Sequence, residues 1–345
     1  MPHTLLHTLA ALRFQAHTSF PEHRSDARAF EVTRGFLEGG YRALRAGAEG
    51  DLHTYARGEQ IRGYLMHWRQ AESWYGAPTH TYALDFDWAD PDAARWATQA
   101  LLAAPLSEDA ELMLSARYAP LLGVALGAGL RLDSVVLLGD PRRSLERLMS
   151  AYAPPPHLGA LNLDVRPLRT QTEVDLTVAL KRRYFSAHPE HCWFGANARV
   201  LQRAQEELSE VLRAERRGDR PPARAWVLYR EGAFMGSFSY SDTPDHPLWG
   251  ALAGVDITLH PLIQRRGVVK TAYRVMLTAM LQAGVQVYKG GTSQPAVMAL
   301  GRVMGRPLFS WVLRRRAALP ARHFSPYLPP HLRALERSSH TEEPL

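Results

Sequence analysis

The sequence predicts an α/β protein, of the α+β kind, built as two halves of similar element order. Three observations carry this. Residues 254–305 read as strand, glycine-bearing basic turn, helix, strand, helix. The first half closes on a comparable succession, and Pro154-Pro155-Pro156, followed by Gly159, stands between the two. Three consecutive prolines fit neither a helix interior nor a central strand, and they make a stiff extended spacer. A chain of 345 residues is comfortable for two domains of ordinary size.

In the first half, residues 4–48 read as two helices. Leu5, Leu6, Leu9 and Leu12 make one apolar stripe, and Phe30, Phe36, Leu37, Tyr41 and Leu44 another, with Gly47 as the stop. Strand-like runs at 52–55 and 60–68 flank Arg57-Gly58-Glu59, a hairpin turn. In the run 81–88, Tyr82, Leu84, Phe86 and Trp88 alternate with Asp85 and Asp87, the pattern of a half-buried strand. Asp90-Pro91-Asp92 supplies a cap, a proline for the first turn and an acid near the N-terminus, so a helix is expected to about Ala103. A strand at 111–115, a short helix at 119–126 and a strand at 135–138 complete this half.

The second half repeats the order. A strand is expected at 163–168, helices at 173–183 and 198–216, a loop at 217–222, and a hairpin of 225–229 with 234–240 over Glu231-Gly232. Val255-Asp256-Ile257-Thr258-Leu259 is β-branched and apolar, and His260-Pro261 closes it, because proline has no N–H for a ladder. A loop, 262–266, leads to Gly267. Val269, Ala272, Tyr273, Met276 and Met280 then recur at helical spacing up to Gly284. A strand at 285–288, Gly290-Gly291-Thr292-Ser293, a helix at 295–304 and a strand at 309–313 follow. Ala125-Leu126-Gly127 before the strand at 135–138 echoes Ala299-Leu300-Gly301 before the strand at 309–313.

Strand, basic glycine turn and helix together build an anion cradle. The unpaired N–H groups of a helix start face the turn, and the helix dipole favours negative charge there. The turn Gln264-Arg265-Arg266-Gly267-Val268-Val269, after Leu259-His260-Pro261, resembles the pyrophosphate loop of the GNAT N-acetyltransferase superfamily. Strand, helix, Gly305 and strand after it close the chain as that family does, with Arg306 in place of an aromatic and Val269 in place of Gly or Ala.

The resemblance implies a tandem protein. Each domain would be GNAT-like, a mixed, mostly antiparallel twisted sheet flanked by helices. Residues 1–153 would form a degenerate domain, 160–320 the acetyltransferase domain and 321–345 a tail. In the first half, Trp88-Ala89-Asp90-Pro91-Asp92 stands where the phosphate turn belongs, and its carboxylates would repel a pyrophosphate.

The resemblance also implies the chemistry: transfer of an acetyl group from acetyl-CoA to an amine, on a small molecule or a peptide. The backbones of Ile257 and Leu259 would pair with the pantetheine arm. Gln264, Arg265, Arg266, Gly267, Val268 and Val269 would hold the diphosphate, and Gln294 stands where an asparagine often contacts the cofactor. The tyrosine that serves the family as general acid corresponds to Gly301, which has no side chain, so Tyr288 is the substitute candidate. Asp256 is the only carboxylate on its strand and the candidate base, with a structural strand-end acid as the equal alternative. The missing tyrosine, Val269 and the degenerate first half keep a second expectation open, a GNAT-fold ligand-binding or scaffold protein with little or no turnover.

Composition narrows the setting. Hydrophobic residues make up 46% and charged residues 22%, the balance of a globular protein. No run is long and apolar enough to span a bilayer, and the N-terminus lacks the features of a signal peptide, so a cytoplasmic protein is expected. One cysteine, Cys192, rules out an internal disulfide framework and fits a reducing compartment. The formal charge of +7 rests almost entirely on arginine, with only three lysines, Lys181, Lys270 and Lys289. Compositional bias explains it, coenzyme A would suffice as an acidic partner, and nucleic acid is the weaker alternative.

Other signals weigh less. Gly123, Gly127 and Gly129 lie on a helix and read as termination and packing, not as a dinucleotide fingerprint. His188, Glu190, His191 and Cys192 cluster as scattered loop polars, so no metal is expected. Arg314-Arg315-Arg316 reads as a solvated strand end.

Overall fold

A computed structural model describes residues 2–21, 23–70, 79–152, 162–187, 198–219, 221, 223–264, 266–315, 327–329 and 332. The proline boundary at 154–159, the His188–Cys192 cluster, Arg265, Arg316 and the tail at 338–345 lie outside the described residues. In chain order the first elements are α1 (Pro2–His17), α2 (Ala27–Arg45), β1 (Gly50–Arg57), β2 (Gln60–Gln70) and β3 (Thr79–Phe86). Next come α3 (Pro91–Ala103), β4 (Ala110–Ser115), α4 (Ala119–Gly127), β5 (Arg131–Gly139) and α5 (Pro141–Ala151). The second half supplies β6 (Leu163–Pro167), α6 (Gln171–Ala187), α7 (Ala198–Arg217), β7 (Ala223–Arg230), β8 (Ala233–His246) and β9 (Gly250–Leu259). It ends with α8 (Val268–Gln282), β10 (Val287–Thr292), α9 (Pro295–Val303) and β11 (Leu308–Arg314).

The chain divides into two compact units. Unit 1 is Met1–Val136, Pro247–Trp249 and Leu308–Leu345; unit 2 is Leu137–His246 and Gly250–Pro307. This differs from the expected division at 153 and 160. The final strand, β11, belongs to unit 1, where it pairs antiparallel with β4 from Ser310↔Ser115 to Arg314↔Glu111. The helix α5, from the first half of the sequence, belongs to unit 2 and packs on α8. Strand pairing and burial, both blind to sequence distance, decide membership.

In unit 1 the strands run in the order β1-β2-β3-β4-β11-β5. β1, β2 and β3 pair antiparallel, whereas β3 and β4 are parallel over three rungs, His80↔Ala110 to Tyr82↔Leu112. Leu9, Leu12, Leu37, Tyr64, Met66 and Trp68 form one core, with α1 and α2 on that face of β2. The opposite face receives α3, so Gly63 lies against the Trp96 ring.

With helices on both faces, β3 is not half-buried as its alternation suggested; every residue but Thr81 is buried. The buried Asp85 is compensated. Its carboxylate accepts from the Tyr64 hydroxyl at 2.6 Å and pairs with the Arg13 guanidinium at 3.1 Å. Arg314 also departs from expectation: it is buried and bonded to Glu111, Nη2 to Oε2 at 2.6 Å, rather than solvated.

In unit 2 the strands run in the order β10-β9-β8-β7-β6. β6 through β9 are antiparallel, and β9 with β10 is parallel over three rungs, Val287↔Leu252 to Lys289↔Gly254. One face packs on α5 and α8 through Leu148, Phe238, Ala253, Met276 and Met280. The other packs on α6 and α7 through Val174, Leu208, Leu212 and Val227. Each unit is thus a mixed, mostly antiparallel sheet with helices on both faces and a short parallel pair, β3 with β4 in unit 1 and β9 with β10 in unit 2.

Candidate cofactor cleft

In unit 2 the ladder between β9 and β10 ends at Lys289↔Gly254, yet β9 runs on to Leu259 and β10 to Thr292. The His260 N–H reaches Met235 O of β8 at 2.8 Å. Successive residues of a strand alternate their bonding edge, so Leu259, Ile257 and Val255 turn their N–H and C=O toward β10. Past Gly254 that edge has no rung to β10. Ile257 therefore offers an open strand edge, while Leu259 O accepts from the Gln264 side chain at 3.0 Å. Gln264 braces the turn by this bond, and its own N–H closes on Pro261 O at 3.2 Å.

The turn itself passes through a short 3-10 segment, Pro261–Ile263, capped by the His260 ring on the Leu262 N–H. Gly267 then adopts φ 79°, a left-handed conformation that glycine takes without a Cβ penalty. It is the N-cap of α8, and no side chain caps that helix. Lys270 N–H closes on Gly267 O at 2.9 Å, and the N–H groups of Val268 and Val269 ahead of it open on a turn where Arg266 is exposed. Val268 is buried and Val269 packs against the same core, so both present main chain rather than side chain to the turn.

The equivalent features of unit 1 are filled. By the same alternation, set by Asp87 N–H on Arg62 O at 2.7 Å, Phe86 turns its edge toward β4. There the Tyr118 hydroxyl meets both Phe86 N and Phe86 O at 3.4 Å, and its ring stacks on Phe86 at 4.5 Å. The α3 start is capped by Asp90, whose carboxylate accepts from Asp92 N at 2.9 Å. Unit 1 has the same wedge of strands, plugged by its own tyrosine, and the same helix start, capped by its own acid.

The two candidate catalytic side chains fall apart. Tyr288 is fully buried, faces Gly139, and has the Arg306 guanidinium 4.6 Å above its ring. Arg306 also donates to Tyr273 Oη at 3.1 Å and to Leu137 O at 2.8 Å. Asp256 shows no bulge and lies on the opposite face, ion-paired with Lys181 of α6. Glu207 of α7 belongs to the same group: burial, with Asp256 adding like charge, holds its carboxyl above the ordinary range while Lys181 opposes the shift. Gln294 bonds the Tyr184 hydroxyl and takes its own N–H to Thr292 Oγ1 at 3.0 Å. Lys181, Glu207 and Tyr184 carried no local motif, since each is brought in by a helix distant in sequence. Among the described residues no group of three or more His, Cys, Asp or Glu could hold a metal ion. No helix among them is long and apolar enough to cross a membrane.

No family model matches the sequence, and no curated protein matches it. Solved structures that resemble the chain include GNAT acetyltransferases. A GCN5-related N-acetyltransferase from Kribbella flavida is 14% identical, with 84% of this chain and 95% of that one covered and a TM-score of 0.38. A tandem GNAT protein from the clavulanic acid biosynthesis pathway is 13% identical over 79% and 84% of the two chains, at 0.37. A Drosophila protein is 12% identical over 91% and 97%, at 0.41. At TM-scores below 0.5 these likenesses do not bear on function, which rests on the chain's own residues.

Proposed function

We propose that unit 2 binds acetyl-CoA in the β9/β10 wedge and transfers its acetyl group to an amine of a small molecule or peptide. The observation that carries this is the open edge of β9 leading to an uncapped helix start behind a left-handed glycine. The N–H groups at Gly267, Val268 and Val269 would take the diphosphate, with the exposed Arg266 beside them. Ile257 would pair with the pantetheine arm as with another strand. Gln264 serves the site indirectly, by holding the turn.

Bound acetyl-CoA supplies an activated thioester. An alkyl amine arrives protonated and must lose a proton before it attacks. The Asp256–Lys181–Glu207 group, on the α6 and α7 face of the sheet, is the place in unit 2 suited to receive it. A backbone N–H on the open edge of β9 suits the carbonyl oxygen as it gains charge. A reducing cytoplasm fits this use of a thiol cofactor.

Burial of Tyr288 and the absence of a side chain at Gly301 favour a second reading, a binding or scaffold protein with weak turnover. Loss of general-acid help costs on the order of 10²–10⁴ in rate. Thermal unfolding with millimolar acetyl-CoA tests the cleft. Ligand at about 100 times its dissociation constant adds roughly 2.7 kcal/mol of stability, several degrees in melting temperature. The rise should vanish in Gly267→Glu. Absence of a rise in the unaltered chain refutes the cleft; a rise without thiol release across a panel of amines favours the scaffold.

A further inference from the structure

The three lysines of the chain all lie in unit 2, and they are held differently. Lys181 is ion-paired with Asp256. Lys270, in the first turn of α8, places its ammonium over the Tyr152 ring, 3.4 Å from the centroid. Lys289 has neither kind of partner among the described residues. It occupies the last rung, opposite Gly254, at the point where β9 and β10 part. Tyr288 points into the core, so alternation sends Lys289 to the other face, the face of Asp256. The residue is exposed, yet the protein crowding its ammonium lowers its pKa, and burial is the sole cause.

The direction of the cleft makes this position matter, and here the inference rests on the acetyl-CoA reading above. A diphosphate at Gly267 anchors one end of the cofactor. Its arm then runs back along the open edge from Leu259 toward Gly254, five residues or about 17 Å at strand spacing. The acyl end therefore approaches the last rung, where Lys289 stands.

We propose that Lys289 is a self-acylation site, taking the acyl group from an acyl thioester bound in the same unit. The unprotonated Nζ attacks the thioester carbonyl carbon. The N–C bond forms, the C–S bond breaks, and the nitrogen's proton leaves with coenzyme A as its thiol. The product is a neutral amide, so the modification removes a cation from the head of the cleft and does not turn over. A lysine with a lowered pKa suits this because the free amine is its nucleophilic form, whereas the Lys181 ammonium is engaged by Asp256.

The test uses the full-length chain, incubated with acetyl-CoA and mapped by peptide mass spectrometry, with binding measured in parallel by calorimetry. Lys289 should acquire one acetyl group at least about tenfold faster than Lys181 or Lys270, because proximity and orientation act on it alone. The label should disappear in Lys289→Arg and in Gly267→Glu, and excess coenzyme A should protect against it in the unaltered chain. Without any cofactor, limiting acetic anhydride should label Lys289 first. Acetyl-CoA binding without label on Lys289 overturns the proposal and leaves the cleft standing. Equal labelling of all three lysines, or labelling that coenzyme A does not slow, also overturns it. Absence of binding overturns both proposals.

Discussion

Replacing Asp85 with alanine tests the charge balance on which unit 1 is built. Asp85 is buried and holds three partners: the Arg13 guanidinium at 3.1 Å, the Tyr64 hydroxyl at 2.6 Å and the Tyr118 hydroxyl at 3.5 Å. Burial pushes the Asp85 carboxyl up and the Arg13 pairing pulls it down, so the pair's value lies in its completeness. Asp85→Ala leaves Arg13 with its side chain only 16% exposed and no counter-ion, and it strips the buried Tyr64 hydroxyl of its acceptor, while the Tyr118 hydroxyl keeps Phe86 O. Breaking a buried pair from one side costs about 3–5 kcal/mol. Replacing both ends with apolar groups, as in Arg13→Met with Asp85→Leu, should cost far less than the sum of the single changes, since no orphaned charge remains. The Arg13 guanidinium lies 4.6 Å from the Phe36 ring, and methionine keeps that apolar contact. Urea unfolding of the four chains of this cycle, followed by tyrosine and tryptophan fluorescence, gives the coupling directly. A coupling energy below about 0.5 kcal/mol refutes the account, because it would mean that Arg13 and Asp85 act independently.

Two further outcomes follow from specific packing. A Cβ on Gly139 would come within 2.5 Å of the Tyr288 ring, which Arg306 covers from above, so Gly139→Ala should destabilise unit 2 by about 1–3 kcal/mol in denaturant unfolding. Tyr288→Leu in the same chain should recover part of that loss, and strict additivity of the two changes would contradict the contact. His23 packs edge-on with Phe14 and Trp249 and His17 lies tilted against Phe309, and burial holds both imidazoles below their ordinary pKa, His17 well below. The unfolded chain then binds more protons than the folded one below about pH 6.5, so stability should be full above that pH and fall as pH drops through it. The urea midpoint at pH 5.5 should lie below that at pH 7.5, and the difference should shrink in the His17→Phe, His23→Phe double variant.

The sequence by itself determined the element list and the character of the turn at Gly267. Periodicity located nearly every helix and strand because each signal is local: an apolar stripe, a cap, a proline stop. The helix α5 was missed although Asp140-Pro141 carries the same cap-and-proline signal as Asp90-Pro91, and the last parallel strand begins at Val287 rather than 285. Gly267 was legible because a left-handed helix cap leaves a residue-specific mark.

What only the tertiary structure decided depends on contacts between residues distant in the chain. That β11 pairs with β4 and that α5 packs on α8 follow from strand edges and apolar faces finding partners, which no spacing along the sequence encodes. The same holds for the wedge: Tyr118 and Asp90 fill it in unit 1, whereas in unit 2 the strand edge at Ile257 and the helix start at Gly267 stay open. Tyr288 and Lys289 are neighbours in sequence, yet the pleat buries one under Arg306 and leaves the other at the head of the cleft, because a sheet's two faces meet different surroundings.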